Sequence, residues 1–174
     1  MSNKKNKKKK KNDETKKMVF SAFIASNYDW SREEHMGVYA LKVYREGYRP
    51  RTVSKVLFYE TPKRIELKAA IEVFDNIPIG STVKIYSNDA YIVNILSGKW
   101  PPKENIDLVL DFRRASACKK VKMILEDGVW RLNDNNNIVK QRFNNTCDLA
   151  FMYYCKCYRQ KYIRNSKHNI INTL

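Results

Sequence analysis

Basic residues, several of them in adjacent pairs, are the side chains of this sequence whose chemistry is easiest to name. Lysine and arginine bind phosphate oxygens, so these residues are candidate contacts for nucleic acid or another polyanion. Each pair taken alone is also typical of an ordinary solvent-exposed face. The candidates, with one tryptophan that lies between two of them, are Lys63, Arg64, Lys99, Trp100, Lys103, Arg113, Arg114, Lys119 and Lys120.

Two carboxylates lie in predicted helices at positions where their charge needs an explanation. Glu66 falls within the apolar stripe of a helix predicted over residues 61–76, and Asp148 begins the helix predicted over 144–164. A carboxylate can bind a divalent cation, pair with a lysine or, at the start of a helix, interact favourably with the helix dipole. The residues alone leave these uses open.

The cysteines and histidines show no pattern typical of a metal site. No Cys-x-x-Cys pair or histidine-rich partner set accompanies the cysteines, so we expect reduced thiols at Cys118, Cys147, Cys155 and Cys157. His35 and His168 are expected to be ordinary surface residues. No apolar run is long enough for a membrane-spanning helix. We therefore expect an intracellular protein, in the cytoplasm or the nucleus.

The net charge of +16 over 174 residues divides between a tail and a body. Residues 1–17 carry nine lysines against two acidic residues, a net charge of +7, which leaves +9 for the rest. A block of like charges with nothing to bury predicts a disordered tail, either merely solvated or used as a nuclear import signal. We expect one domain over 18–165 and a short tail over 166–174.

The hydrophobic pattern predicts nine elements in the order β-β-β-α-β-α-α-β-α. Strands are predicted at 19–26, 37–44, 52–59, 82–86 and 121–125, and helices at 61–76, 89–96, 104–116 and 144–164. The first three strands are separated by short turns, which predicts an antiparallel meander. The later strands are connected through helices. The fold class is therefore α/β, with a five-stranded mixed sheet flanked by helices.

Four segments on these elements resemble the type-one branch of the ribonuclease H family. They are residues 61–71 (TPKRIELKAAI), 83–92 (VKIYSNDAYI), 105–108 (NIDL) and 145–150 (NTCDLA), and the resemblance spans 18–164. It implies the ribonuclease H-like fold. It also places Glu66 and Asp148 at two of the four carboxylates with which the family binds catalytic metals.

The other two family carboxylates are missing. The resemblance places them at Ser26 and Asn88, and neither residue can supply a negative charge. Family members cleave the RNA strand of an RNA–DNA hybrid with two divalent metals, which carboxylates must neutralise. A family histidine expected in the loop before the last helix is also absent over 126–145. We expect metal binding at Glu66 and Asp148 to be weak or absent.

These departures predict a catalytically degenerate protein that still binds duplex nucleic acid. The duplex is double-stranded RNA or an RNA–DNA hybrid, and the nine basic and aromatic candidates are its expected contacts. No cofactor is required in this interpretation, and Mg²⁺ or Mn²⁺ would matter only for residual activity. The composition would suit a protein of viral or mobile-element origin.

Two alternatives remain open. The first is a protein-interaction scaffold, since the last predicted helix carries more tyrosine and methionine over 151–162 than one buried stripe requires. The second is a residual metal-dependent ribonuclease in which Asp29 and Asp89, close to the two missing positions, act as shifted ligands. Loss of catalysis is the interpretation that we favour.

Overall fold

The computed structural model describes residues 18–29, 35–126 and 137–171, with side chains up to residue 160. The lysine-rich tail predicted over 1–17 lies outside the described residues, as does most of the loop predicted before the last helix. Among the described helices, none is long and apolar enough to cross a membrane.

Five strands form one mixed sheet in the order β3-β2-β1-β4-β5. They are β1 (Val19–Tyr28), β2 (Met36–Tyr44), β3 (Arg51–Phe58), β4 (Thr82–Ser87) and β5 (Lys120–Leu125). The pairs β1–β2 and β2–β3 are antiparallel, while β1–β4 and β4–β5 are parallel. The predicted meander and mixed sheet are therefore confirmed, and strand ends differ from the prediction by two residues at most.

Four helices flank the sheet within the described residues: α1 (Pro62–Glu72), α2 (Ala90–Leu96), α3 (Ile106–Ser116) and α4 (Ile138–Ile171). A 3-10 turn over Val73–Asn76 extends α1. The side chain of Thr61 caps α1 by accepting the amide of Arg64, and that of Asp89 caps α2. Short polar side chains thus satisfy the first free amides of both helices.

The last helix begins earlier than its sequence pattern predicts. It starts at Ile138 rather than 144, because the side chain of Asn137 accepts the amides of Val139 and Lys140. It also continues to Ile171, past the predicted end at 164 and the domain boundary at 165. Asp148 therefore lies in the third turn of α4. The interpretation that Asp148 meets the helix dipole at a helix start is wrong.

The two faces of the sheet are covered by different helices. Alternate residues of β1, such as Ala22 and Ile24, belong to the main core with α1, α2 and α3. The intervening Phe23 stacks on Tyr86 and packs against Phe143 of α4. Farther along, α4 packs its Ala150 on small residues of β1 and β2, so it runs in the same direction as β1.

The parallel strands give the sheet two distinct ends. We call the end where β1 and β4 finish, near Ser26 and Ser87, the site end, and the end where they begin the distal end. A hydrogen bond between Ser26 and Glu66 places the start of α1 at the site end. Arg64 in turn contacts Asp107 in the first turn of α3, so α3 also starts there. The following strand, β5, starts at the distal end beside Thr82.

We expect Gly37→Ala to lower the free energy of unfolding by about 1–3 kcal/mol, because it overpacks the core beside the site. A Cβ at Gly37 would lie 2.1 Å from Cδ1 of the fully buried Ile65 and 2.9 Å from the ring of Tyr28. Urea denaturation measures the loss. In an Ile65→Val background, which lacks the clashing Cδ1 atom, the same substitution should cost less, and an equal cost in both backgrounds would contradict this packing.

Candidate functional site

Glu66 is the buried carboxylate at the site end, with 5% of its surface exposed. Its Oε1 atom accepts a hydrogen bond of 2.8 Å from the hydroxyl of Ser26, near the end of β1. Its Oε2 atom accepts one of 3.4 Å from the hydroxyl of Ser87, the last residue of β4. The first turns of α1 thus bring Glu66 to the point where the two parallel strands end, and two hydroxyls enclose its carboxylate.

The protonation of Glu66 follows from this enclosure. The pKa of its carboxyl is raised to about 7, and burial is the largest cause. The hydrogen bond from Ser26 opposes this rise, whereas the negative charge of Asp89 adds to it. The charge of Lys63 and the hydrogen bond from Ser87 also lower the pKa. A buried carboxyl without a close cation favours its neutral form. Ionising Glu66 in this enclosure therefore costs free energy, and a carboxylate that binds metal must be ionised.

Asp89 is near Glu66 but is already engaged. Its Oδ1 atom accepts the amides of Tyr91 and Ile92 at the start of α2, and its Oδ2 atom forms an ion pair with Lys63. The ammonium of Lys63 also lies 5.3 Å from the ring centre of Tyr91. The charge of Asp89 raises the pKa of Glu66. The oxygens of Asp89 are bonded to the first amides of α2 and to the ammonium of Lys63.

Asp29, the other carboxylate considered as a shifted ligand, faces the last helix. Its Oδ2 atom accepts a hydrogen bond of 2.8 Å from the hydroxyl of Tyr154 in α4. Its backbone amide donates a hydrogen bond of 3.1 Å to the carbonyl of Met36, which extends the pairing of β1 with β2. These contacts tie the end of β1 to α4.

The structure brings Ser26 to Glu66, but it leaves the other two predicted positions outside this contact. Asn88 and Asp148 are both exposed, and neither is hydrogen-bonded to Glu66 within the described residues. Ser87, one residue before Asn88, takes the place beside Glu66. The alternation of Val83, Ile85 and Ser87 along β4 is a signal that could have identified it.

Cys147, one residue before Asp148, is a residue of α4 whose thiol pKa is affected by the charge of Glu66. The pKa of its thiol is raised to about 11, chiefly by burial and in addition by the charges of Glu66 and Asp148. Cys147 also packs against both apolar clusters beneath α4. No sequence signal distinguishes this half-buried thiol from its neighbours, because the rotation of α4 about its axis is set by packing.

These donors do not fit the two-metal centre that the family resemblance implies. Among the described residues, no group of three or more His, Cys, Asp or Glu side chains could hold a metal ion. Glu66 offers one carboxyl whose pKa is raised by burial, and serine hydroxyls are its neighbours. Two closely spaced divalent cations need several negatively charged oxygen ligands to neutralise them.

The basic side chains nearest the site are paired with carboxylates. Arg64 donates to Glu60 at 2.8 Å and to Asp107 at 2.9 Å, and Lys68 also pairs with Glu60. The guanidinium of Arg64 lowers the pKa of the Asp107 carboxyl. Together with the pair formed by Lys63 and Asp89, these contacts neutralise the positive charge around α1.

Lys99, Trp100 and Lys103 lie in the connection between α2 and α3. All three are exposed, and Trp100 presents 49% of its surface to solvent. Beside them is a cavity of 520 Å³, lined by Tyr91, Ile95, Trp100, Pro101, Lys103 and Glu104. This part of the predicted contact set forms one continuous surface with Tyr91.

The remaining predicted contacts lie at the distal end. Arg113 and Arg114 end α3, which spans eleven residues or about 16 Å from its start at the site end. Lys120 begins β5 opposite Thr82, and Lys119 lies over the ring of Phe74. Arg113, Arg114, Lys119 and Lys120 therefore lie at the opposite end of the sheet from Lys63 and Arg64. Their contact with nucleic acid stays a prediction.

Comparisons with known proteins give matches to solved structures. The N-terminal RNase H domain of Rv2228c from Mycobacterium tuberculosis, solved as a fusion with maltose-binding protein, is 12% identical with a TM-score of 0.55, covering 79% of this chain and 99% of that chain. RNase H1 from the archaeon Halobacterium salinarum is 11% identical with a TM-score of 0.51, and the match covers 76% of this chain and 97% of that chain.

A third similar structure is LC9-RNase H1, described as a type 1 RNase H with the type 2 active-site motif. It is 14% identical with a TM-score of 0.56, and the match covers 78% of this chain and 72% of that chain. The sequence matches no protein-family model, and no curated protein matches it at a significant level. These likenesses, with the strand order β3-β2-β1-β4-β5, show that the chain has the fold of type 1 ribonucleases H.

Proposed function

We propose that this protein binds duplex nucleic acid, either double-stranded RNA or an RNA–DNA hybrid, and does not cleave it by the two-metal reaction of the family that it resembles. The observation that carries the proposal is the environment of Glu66. Its carboxyl has a pKa of about 7 and is enclosed by the hydroxyls of Ser26 and Ser87. Such a site lacks the negative charge that would hold two divalent cations.

Binding is supported by the basic side chains that the fold leaves without carboxylate partners. Neutralising phosphates with such side chains releases counterions from the nucleic acid, which drives association. Within the described residues, no ion pair involves Arg45, Arg49, Arg51, Lys84, Lys99, Lys103, Arg113, Lys120 or Lys122.

We expect the full chain to bind a 20-base-pair hybrid or RNA duplex with strong salt dependence. If about five phosphates are contacted, log Kd should rise with log salt concentration with a slope of about 4 to 5. Fluorescence anisotropy in EDTA, between 50 and 300 mM KCl, measures this slope, and duplex DNA serves as the comparison. Absence of binding at the lowest salt would refute the proposal.

The matching test of catalysis uses a labelled hybrid with Mg²⁺ or Mn²⁺. We expect no cleavage above the level of a Glu66→Gln variant. Cleavage that this variant abolishes would instead establish the residual ribonuclease.

A protein-interaction function is the second candidate, and exposed apolar residues of α4 favour it. Phe151 and Met152 present 57% and 68% of their surfaces to solvent. Large exposed apolar side chains on a helix are typical of interaction surfaces. A pull-down that resists nuclease treatment and is lost in a Phe151→Ser, Met152→Ser variant would support this candidate, and a nuclease-sensitive pull-down would exclude it.

A further inference from the structure

Within the described residues, helix α4 covers only part of the width of the sheet face beneath it. Helix α4 packs mainly across β1, β2 and β3. On β4 and β5, Tyr86 and Ile124 pack with Phe143 near the start of α4. Because side chains alternate along a strand, the residues two and four positions before these point to the same face, and they lie nearer the distal end.

Three exposed lysines occupy this uncovered part of the face, which we call the open face: Lys84, Lys120 and Lys122. Lys84 is directly opposite Lys122 in the parallel pairing of β4 with β5. Neighbouring strands are about 4.8 Å apart, and Lys120 follows on the same face about 6.6 Å along β5. Like charges directly opposite each other are destabilising, so this arrangement carries a cost in the free protein.

Protection of a sheet edge explains this arrangement incompletely. Lysines on an edge strand discourage edge-to-edge association, and β5 is an edge of the sheet. Lys84, however, is on β4, which lies between β1 and β5. Its charge protects no edge, and it adds to the repulsion from Lys122.

The surroundings of the open face increase its positive potential. Neither β4 nor β5 contains an acidic residue, and Glu126 follows β5 at the site end. At the distal end of the sheet, Arg45, Arg49 and Arg51 line a cavity of 430 Å³ together with one acidic residue, Asp75.

The basic side chains of α1 at the site end have the opposite character. Lys63, Arg64 and Lys68 are each bound to carboxylates there. A phosphate approaching them would have to displace an existing partner, whereas the lysines of the open face form no ion pair with any other described residue.

We infer that the open face, carrying Lys84, Lys120 and Lys122, provides the principal phosphate contacts to a nucleic-acid duplex, at the end of the sheet opposite Glu66. This inference rests on the proposed nucleic-acid binding and names its surface. Three ammonium groups on a sheet surface contact backbone phosphates without reading bases, so recognition is independent of sequence.

The test removes the same number of charges from two parts of the full chain. One variant carries Lys84→Gln, Lys120→Gln and Lys122→Gln. The matched control carries Lys55→Gln, Lys63→Gln and Lys68→Gln, three lysines that are each paired with a carboxylate. The probe is a 20-base-pair RNA–DNA hybrid in EDTA, followed by anisotropy over a range of KCl. A variant with arginine at positions 84, 120 and 122 keeps the charge and controls for effects on strand packing, and thermal denaturation verifies that every variant is folded.

We expect the open-face variant to raise Kd at least about tenfold in 0.1 M salt and to reduce the salt slope by about 2 to 3. The control should change Kd less than about threefold, and the arginine variant should bind like the wild type. Equal losses in both glutamine variants, or a loss in the control alone, would overturn the inference while leaving the proposed function in place. Failure of the wild-type chain to bind the hybrid would overturn both.

Discussion

Replacing Glu66 by glutamine is expected to stabilise the protein above neutral pH by about 3 kcal/mol. The pKa of this carboxyl is about 7 in the folded state, against an ordinary value of 4.5. Each unit of difference corresponds to about 1.4 kcal/mol, which gives the expected size of the effect. Glutamine keeps an oxygen that accepts the hydroxyl proton of Ser26, and it carries no charge to bury.

The effect has a defined direction with pH. Below pH 4.5, Glu66 is protonated in both the folded and the unfolded chain, so it contributes no pH dependence. Between 4.5 and about 7 the unfolded chain ionises first, so the wild type loses stability as pH rises. The difference between variant and wild type should therefore be near zero at pH 4 and reach its maximum above pH 8.

Glu60→Gln is the matched control, since its expected effect has the opposite sign. Burial alone would raise the pKa of Glu60, but Lys68 and Arg64 hold it below its ordinary value. Glu60 therefore contributes stability that is lost as pH falls, and its replacement should destabilise the protein at neutral pH. Urea denaturation from pH 4 to 9 measures both variants. A destabilised Glu66→Gln variant at pH 8 would contradict the protonation proposed for Glu66.

Introducing a second carboxylate at Ser26 is expected to have the next largest effect. In Ser26→Asp, a carboxylate replaces the hydroxyl that donates to Oε1 of Glu66 at 2.8 Å. Two carboxyls at this distance resist double ionisation, so the pair shares a proton and the folded state loses about 2–4 kcal/mol at pH 8. Bound Mg²⁺ or Mn²⁺ would neutralise the pair and restore stability.

Differential scanning fluorimetry with 0–10 mM divalent cation distinguishes this effect from a simple packing defect. We expect the melting temperature of Ser26→Asp to rise with cation concentration, and that of the wild type and of the neutral Ser26→Asn control to remain constant. A cation-dependent rise in the wild type would show that Glu66 already participates in a metal site. An unresponsive Ser26→Asp variant would show that Ser26 does not face a position that a cation can occupy.

The elements of this fold follow from local patterns. Alternation over the first three strands predicts the meander, and the threonine before residues 62–72 predicts the start of α1. The sequence pattern predicts the start of α4 six residues too late. The reason is that Asn137 caps the helix within an asparagine-rich stretch that resembles a loop. A cap depends on one side-chain hydrogen bond, and several neighbouring asparagines could equally have formed it.

The neighbours of Glu66 illustrate what a local pattern does not contain. Ser26 and Ser87 are 40 and 21 residues away from it along the chain, and the ends of two parallel strands bring them together. Because neighbouring residues of a strand point to opposite faces, a shift of one residue decides whether Ser87 or Asn88 lies beside Glu66. In the same way, the rotation of α4 about its axis decides whether Cys147 or Asp148 faces the sheet. Packing of whole elements sets both choices.

The sequence by itself determined the order of elements, the likeness to ribonucleases H and the excess of basic residues. The tertiary structure alone decided that Glu66 lies between two hydroxyls and that burial raises the pKa of its carboxyl. It also decided which basic side chains are neutralised. Arg64 of α1 forms an ion pair with Asp107 of α3, whereas Lys84 lies opposite Lys122 in the pairing of β4 with β5. The physical reason is that charge and pKa depend on neighbours in space, which the chain assembles from segments far apart in sequence.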